Sequence, residues 1–222
     1  MDTVNKREMI AHLINEGEKD SAVQLLLEWS TETSFKEVIF NVLEPVLTEL
    51  GQLWMRGKIS LAHGYISGKV AEEFYLMAAR DQEFNLSRNQ HQGTVVLGNI
   101  EDDFHPLGRR LVNIYARSAG WKIIDLGTDI PAEHFIEKAI ENKADIIAVS
   151  AMMFTTAKNI IKVRQELDKN SLSGKVMLAV GGAVFKLRPE LVTEIGGDGT
   201  ADTAIGASDL FETLLKQKMS DF

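Results

Sequence analysis

Apolar residues recur along the chain with two different periods, and the change comes near residue 90. Up to about residue 80 the spacing is helical, with apolar residues three and four apart. Asn5 to Asn15 is periodic and stops at Gly17. Asp20 to Trp29 follows, with Leu25, Leu26 and Trp29 on one face. Ser34 with Glu37 three residues on is a capping-box pattern. It opens a third helix carrying Val38, Ile39, Val42, Leu43, Val46, Leu47, Leu50 and Trp54, with Pro45 inside to bend it and Gly57 to end it. Ser60 to Arg80 makes a fourth, with Ile66, Val70, Phe74 and Met77. Four helices with short connections predict a small antiparallel bundle. Asn85 to Gly93 is polar and aperiodic and reads as a linker.

From Thr94 short apolar runs alternate with amphipathic stretches five times. The predicted strands are Thr94 to Ile100, Trp121 to Asp125, Asp145 to Ser150, Lys175 to Val180 and a short one at Asp198 to Ala201. The predicted helices are Pro106 to Ala119, Pro131 to Asn142, Thr155 to Asp168, Leu187 to Ile195 and Asp202 to Lys216. The predicted fold class is therefore α + α/β: an N-terminal four-helix bundle over 1–88, then a flavodoxin-like doubly wound five-stranded parallel sheet over 89–222. There is no internal repeat and no low-complexity tract.

Composition narrows the function classes. The 222 residues are 45% hydrophobic and 25% charged, enough apolar material for a proper core. There is no cysteine, which excludes disulfides, thiolate metal sites and thiol nucleophiles and suits a reducing cytoplasm. No apolar leader follows Met1, and no apolar run approaches a membrane span. The formal net charge is -8 and Lys and Arg do not cluster, so neither nucleic acid nor a membrane is an expected partner.

Candidate chemistry lies in the loop after the first strand, Glu101 to Gly108. In open α/β sheets such loops lie at the carboxyl edge, where ligands bind. Within it, Asp103-x-His105-x-x-Gly108 has a logic: a metal-ligating imidazole needs an acceptor for its second nitrogen, and Asp103 stands two residues away. Gly108 removes a side chain where something large must approach. Alone the triplet recurs by chance, and a solvated histidine beside a helix-capping aspartate is the simpler reading. Strand order 2-1-3-4-5 then places this loop next to Ser150-Ala151-Met152-Met153-Phe154-Thr155-Thr156, and that one next to Gly181-Gly182-Ala183. Hydroxyls and a bare-backbone slot thus line one edge, flanked by the Gly196-Gly197-Asp198-Gly199 turn.

In this order, Asp103-x-His105-x-x-Gly108, Asp125-Leu126-Gly127, Ser150-x-Met152, Gly181-Gly182 and Asp198-Gly199 resemble the cobalamin-binding modules, and with the preceding bundle the corrinoid proteins of methyltransferase systems. The resemblance covers nearly the whole chain. It implies a corrinoid cofactor, cobalamin or methylcobalamin, bound with its own base displaced. His105 would be the lower cobalt ligand, oriented by Asp103, which would bond the Thr156 hydroxyl. Ser150 would contact the displaced tail, which would run between Gly181-Gly182 and Gly199, with Met152 beside it. A second hydroxyl usual four residues after that serine is replaced by Phe154. The bundle would cover the upper face of the corrin, with Trp54, Met55, His63, Tyr65 and Met77 there. His12, His91 and His134 read as solvated.

The implied function is that of a methyl carrier, taking a methyl group from a small-molecule donor through one partner methyltransferase and giving it up through another. Two competing readings remain open at this point. An adenosylcobalamin-dependent sensor resembles this region, but its Glu-His pair is missing: Gly64 and Tyr65 stand there. A receiver-type phosphorylation domain has acidic residues like Asp102-Asp103 but needs an aspartate where Ser150 stands, and its lysine is absent. Flavin and dinucleotide sites would need a phosphate loop after the first strand, which is lacking.

Overall fold

A computed structural model of the chain describes residues 2–78 and 92–220. The predicted linker falls outside them as far as His91. The chain divides into two compact units, residues 1–86 and 87–222.

In the first unit α1 (Thr3–Asn15), α2 (Lys19–Glu32), α3 (Phe35–Val38), α4 (Glu44–Met55) and α5 (Leu61–Ala78) enclose a core that includes Ile10, Ile14, Leu26, Ile39, Leu43, Val70 and Phe74. Ser34 caps α3 by accepting the Glu37 N–H at 3.1 Å. The Glu37 carboxylate accepts from the Asn41 side chain at 2.6 Å. Between α3 and α4 the chain widens into a π turn, Ile39–Leu43, where the Glu44 N–H bonds the Ile39 carbonyl five residues back. Pro45 has no N–H for the Asn41 carbonyl four residues back. Arg7 Nε donates to that carbonyl instead, at 2.7 Å. Residues 35 to 55 thus run on as one helical stretch, and the described part of the unit holds the four helices expected.

The second unit is a five-stranded parallel sheet, β1 (Thr94–Ile100), β2 (Lys122–Ile130), β3 (Ile146–Ser150), β4 (Met177–Gly181) and β5 (Gly199–Thr200), in the order β2-β1-β3-β4-β5. Every residue of β1 is buried. Alternate residues feed two cores: Val96 and Ile100 pack with Phe135, Ile136 and Val163, while Val95 and Leu97 pack with Ala116, Trp121 and Phe211. The first core is covered by α7 (Ala132–Asn142) and α9 (Ile160–Lys169), the second by α6 (Pro106–Ser118) and α12 (Ala207–Ser220).

Three elements differ from expectation. β2 runs on to Ile130 with register shifts against β1 on either side of Gly98. The helix expected from Thr155 to Asp168 is broken: α8 (Phe154–Ala157) stops and α9 restarts, and the intervening Asn159 donates its amide to the Glu101 carbonyl at 3.3 Å. The helix expected from Leu187 to Ile195 is α10 (Ala183–Leu187) and α11 (Leu191–Glu194). Pro189 forces the residue before it, Arg188, out of helical conformation, to φ -138 and ψ 77.

Because the sheet carries its own core on both faces, a fragment from Gln92 to Phe222 should fold alone. Trp121 is its only tryptophan and is buried, with Nε1 bonded to Ser208 at 3.0 Å. Urea unfolding of the fragment should give one cooperative transition seen alike by Trp121 fluorescence and circular dichroism. A gradual loss of signal would show that the sheet needs the helical unit.

Candidate functional site

The carboxyl edge of the sheet is built around Asp103. β1 ends at Ile100, and the loop turns through Asp102 at φ 67, a left-handed conformation that aspartate tolerates. The extended end of β2 holds this loop: Asp129 Oδ1 accepts the Asp102 N–H at 2.8 Å, and the Asp129 N–H bonds the Asp103 carbonyl at 3.2 Å. Asp103 itself is 0% exposed. Its Oδ1 accepts from the Asn99 amide at 2.9 Å and the His105 N–H at 3.0 Å. Its Oδ2 accepts from the Met152 N–H at 2.7 Å and the Thr156 hydroxyl at 3.1 Å. Four donor groups converge on these two oxygens, the Thr156 hydroxyl sharing its one hydrogen with the Met153 carbonyl at 3.0 Å.

His105 follows as the N-cap residue of α6, with Pro106 at the first helical position. The simpler reading, Asp103 as the helix cap, therefore does not hold. The His105 side chain is 55% exposed, and its Nδ1 lies 3.5 Å from Asp103 Oδ1. That is ion-pair range, beyond a hydrogen bond. One edge of the imidazole thus faces a buried carboxylate.

The neighbouring loops come together as the strand order requires. Ser150 ends β3, pairing with Asn99 of β1 and Gly181 of β4. A side chain at Gly108 would meet the Ser150 hydroxyl at 3.9 Å, so these two positions share one surface. Met152 is placed by its backbone bond to Asp103. The glycines differ sharply. A Cβ on Gly181 would meet nothing within 4 Å, one on Gly182 would lie 2.0 Å from the Ala151 carbonyl oxygen, and one on Gly199 would lie 2.8 Å from Leu210 of α12. Gly182, at φ 126, and Gly199 are therefore accounted for by packing, and only Gly181 leaves open space. Asp198 is committed, accepting from Arg164 at 2.7 Å and from the Leu178 N–H at 2.6 Å. Phe154, in place of a hydroxyl, lies between Lys158, 4.4 Å above its ring, and Arg188, 4.5 Å from it.

A family model of the B12 binding domain matches residues 93–209, and a second B12 binding domain model matches residues 6–73. The chain belongs to the B12-binding family. The dimethylamine corrinoid protein of Methanosarcina barkeri is 31% identical over 92% of this chain and 96% of its own. The solved structure of the monomethylamine corrinoid protein of the same organism superposes with a TM-score of 0.83 at 22% identity, over 96% of this chain and 100% of that one. A further similarity is to a chain of the methanol:cobalamin methyltransferase complex of Methanosarcina barkeri, with a TM-score of 0.52 at 25% identity, over 93% of this chain and 78% of that one.

The site fits a corrinoid by its donor set. Among the described residues no three His, Cys, Asp or Glu side chains gather to hold a metal ion. A site with one imidazole suits a metal that brings in-plane ligands of its own, as cobalt in a corrin does. Phe104 and Met153, exposed apolar side chains on the loops bearing His105 and Ser150, suit the face of a macrocycle. In the helical unit His63 serves its own helix. Its Nδ1 accepts the Ser60 N–H at 3.1 Å and lies 2.8 Å from the Ser60 hydroxyl, a histidine version of the capping box at the start of α5. The side chains of Trp54 and Met55 lie outside the described residues.

Sequence patterning does not single out two buried residues beneath this candidate site. Asn99, 0% exposed, sits within the apolar run of β1, and Arg109, 6% exposed, lies on the inner face of α6. Arg109 Nε donates to Asn99 Oδ1 at 3.0 Å, and its Nη1 pairs with Asp125 of the Asp125-Leu126-Gly127 motif. The signal available is an amide inside a buried strand, ten residues before an arginine at the start of an amphipathic helix.

The glycine pair yields a test. Gly182→Ala should destabilise the protein by about 2–4 kcal/mol, since it adds backbone strain to a clash with a fixed carbonyl. Gly181→Ala should leave the unfolding free energy from urea titration within about 1 kcal/mol of the parent yet weaken cobalamin binding, read by titration of the apo-protein. Unchanged cobalamin affinity in Gly181→Ala would remove Gly181 from the site.

Proposed function

We propose that the protein is a methyl carrier that works between partner methyltransferases, with its corrinoid held by His105 in place of the cofactor's own base. The observation that carries this reading is the Asp103 carboxylate, buried and fixed by four donors, facing one ring nitrogen of a half-exposed histidine.

When bound, a corrinoid supplies a cobalt centre that accepts a methyl group and passes it on. The chain's part is to set the lower ligand. Asp103 favours the His105 tautomer with its hydrogen on Nδ1, which leaves the Nε2 lone pair for the metal. Ser150, Met152 and the space at Gly181 line the edge along which the displaced tail would lie, and Thr156 keeps Asp103 in place. Gly64 and Tyr65 stand where the sensor resemblance needs a Glu-His pair, so the carrier reading is preferred to a sensor. Methyl donors are suggested by the names of the relatives, which cite dimethylamine, monomethylamine and methanol. A small methylated amine is the donor class proposed here, chosen by the partner enzyme.

The reading is checked by electron paramagnetic resonance of the Co(II) form made with ¹⁵N-histidine protein. The label should change the nitrogen superhyperfine splitting, and His105→Ala should abolish that change. Asp103→Asn should still bind cobalamin, about 10- to 100-fold more weakly, as is usual when a ligand's hydrogen-bond partner is altered. Splitting indifferent to the label would rule out histidine ligation.

A further inference from the structure

Asp103 is the end of a longer chain of buried polar groups. Asn99 carries two amide hydrogens. One goes to Asp103 Oδ1 at 2.9 Å and the other to the His105 carbonyl at 3.0 Å. A single side chain thus grips both the proposed ligand's residue and its acceptor. The orientation of that amide follows from chemistry. Arg109 Nε lies 3.0 Å from the opposite end of Asn99, and a guanidinium can only donate, so that end is the carbonyl oxygen. Arg109 is held in turn. Its Nη1 pairs with Asp125, whose carboxylate also accepts from the Asn113 amide at 2.8 Å and the Gly127 N–H at 3.1 Å. The path runs from β2, through α6 and β1, to the loop of His105.

The groups along it are hard to explain as strand or helix structure alone. Asn99 faces the side of β1 that Val95 and Leu97 line with apolar side chains. Arg109 is buried with one carboxylate to neutralise it. A cation at the carbonyl end of an amide polarises it and makes its N–H groups better donors, and in a dry interior that effect passes along the chain.

We propose that Asn99 and Arg109 are positioning residues for the lower ligand, Arg109 acting through the Asn99 amide to fix Asp103 and His105 together. The proposal rests on the reading of His105 as the cobalt ligand. Its consequence is that the Nδ1–H tautomer of His105, and with it corrinoid affinity, depends on an arginine whose side chain bonds Asn99 and Asp125.

The test uses full-length protein with ¹⁵N-histidine. The His105 signals, assigned with His105→Ala, are read in the apo-protein at about pH 8, where a free imidazole is neutral. Arg109→Lys keeps the positive charge beside Asp125, but a point-like ammonium cannot bond Asn99 and Asp125 as the guanidinium fork does. Asn99→Leu removes the amide. The parent should show mainly the Nδ1–H form. Each variant should move His105 towards the Nε2–H form and weaken cobalamin binding about tenfold, the lower end of the range for residues that support a metal ligand. In the Asn99→Leu background, Arg109→Lys should change the His105 signals no further. Should Asn99→Leu not fold, Arg109→Lys decides by itself.

Three results would overturn the proposal. One is a parent His105 without the Nδ1–H form. Another is an Arg109→Lys protein with a lowered melting temperature but parental His105 signals and cobalamin affinity, which would make Arg109 a strut between α6 and β2. The third is additive effects of the two substitutions on His105. Because the signals are read without cofactor, a Co(II) spectrum lacking histidine ligation would overturn the ligand reading and leave this result to stand or fall separately.

Discussion

A carboxylate removed from water needs its hydrogen bonds replaced, and at Asp103 the replacement comes from four places in the sequence. Asn99 lies at the end of β1, His105 N–H in the loop, Met152 N–H after β3, and Thr156 in α8. Hydrogen bonds to a charged group contribute about 1.5–3 kcal/mol each, and loss of a partner leaves a buried charge exposed to its full desolvation cost. Neither the loop after β1 nor the loop after β3 can move without disturbing this centre. One side chain therefore fixes the relative position of two loops at the sheet edge. The short α8 and its break at Asn159 follow the same constraint. Thr156 must face Asp103, while Asn159 turns its amide to Glu101 of the same loop.

The chain fixes what lies beneath the imidazole and leaves the imidazole itself half free. Asp103, Asn99 and Arg109 are buried, and His105 is not. This suits a ligand that meets a metal already coordinated in a plane. A closed protein cage would have to gather several donors and would obstruct the macrocycle. On the proposed reading the protein would contribute one imidazole nitrogen, and it would act on the metal through the orientation of that ring.

Much of this is legible in the chain. The parallel strand order follows from five alternating units, and the site edge follows from that order. Asp103 and His105 stand out because their loop follows the first strand, and the Asp103–Thr156 hydrogen bond is expected from the family resemblance. The break at Arg188 is also legible, since Pro189 prescribes it. Other features depend on tertiary partners that sequence spacing does not reveal. Nothing local distinguishes Thr155 to Asp168 from one continuous helix, because the reason for the break is a carbonyl more than fifty residues away in the chain. Asn99 and Arg109 carry no such local signal, because each is explained only by the other. Gly199 reads as part of a ligand slot, and the packing of Leu210 against it is a second demand that spacing does not reveal.

The motif Asp125-Leu126-Gly127 is tied to the histidine loop through its hydrogen bonds within the protein. The Asp125 carboxylate lies on β2, on the far side of α6's first turn, and its partners are Arg109, Asn113 and the Gly127 N–H. Gly127 stands at φ 96, a conformation that lets its N–H turn back onto that carboxylate and that other residues reach only with strain. The same turn lies where β2 shifts register against Gly98 and then runs on to Asp129, which holds Asp102. So β2 reaches the histidine loop twice, by backbone through Asp129 and by side chains through Asp125, Arg109 and Asn99. An edge strand thereby helps to set the loop on which the proposed ligand stands.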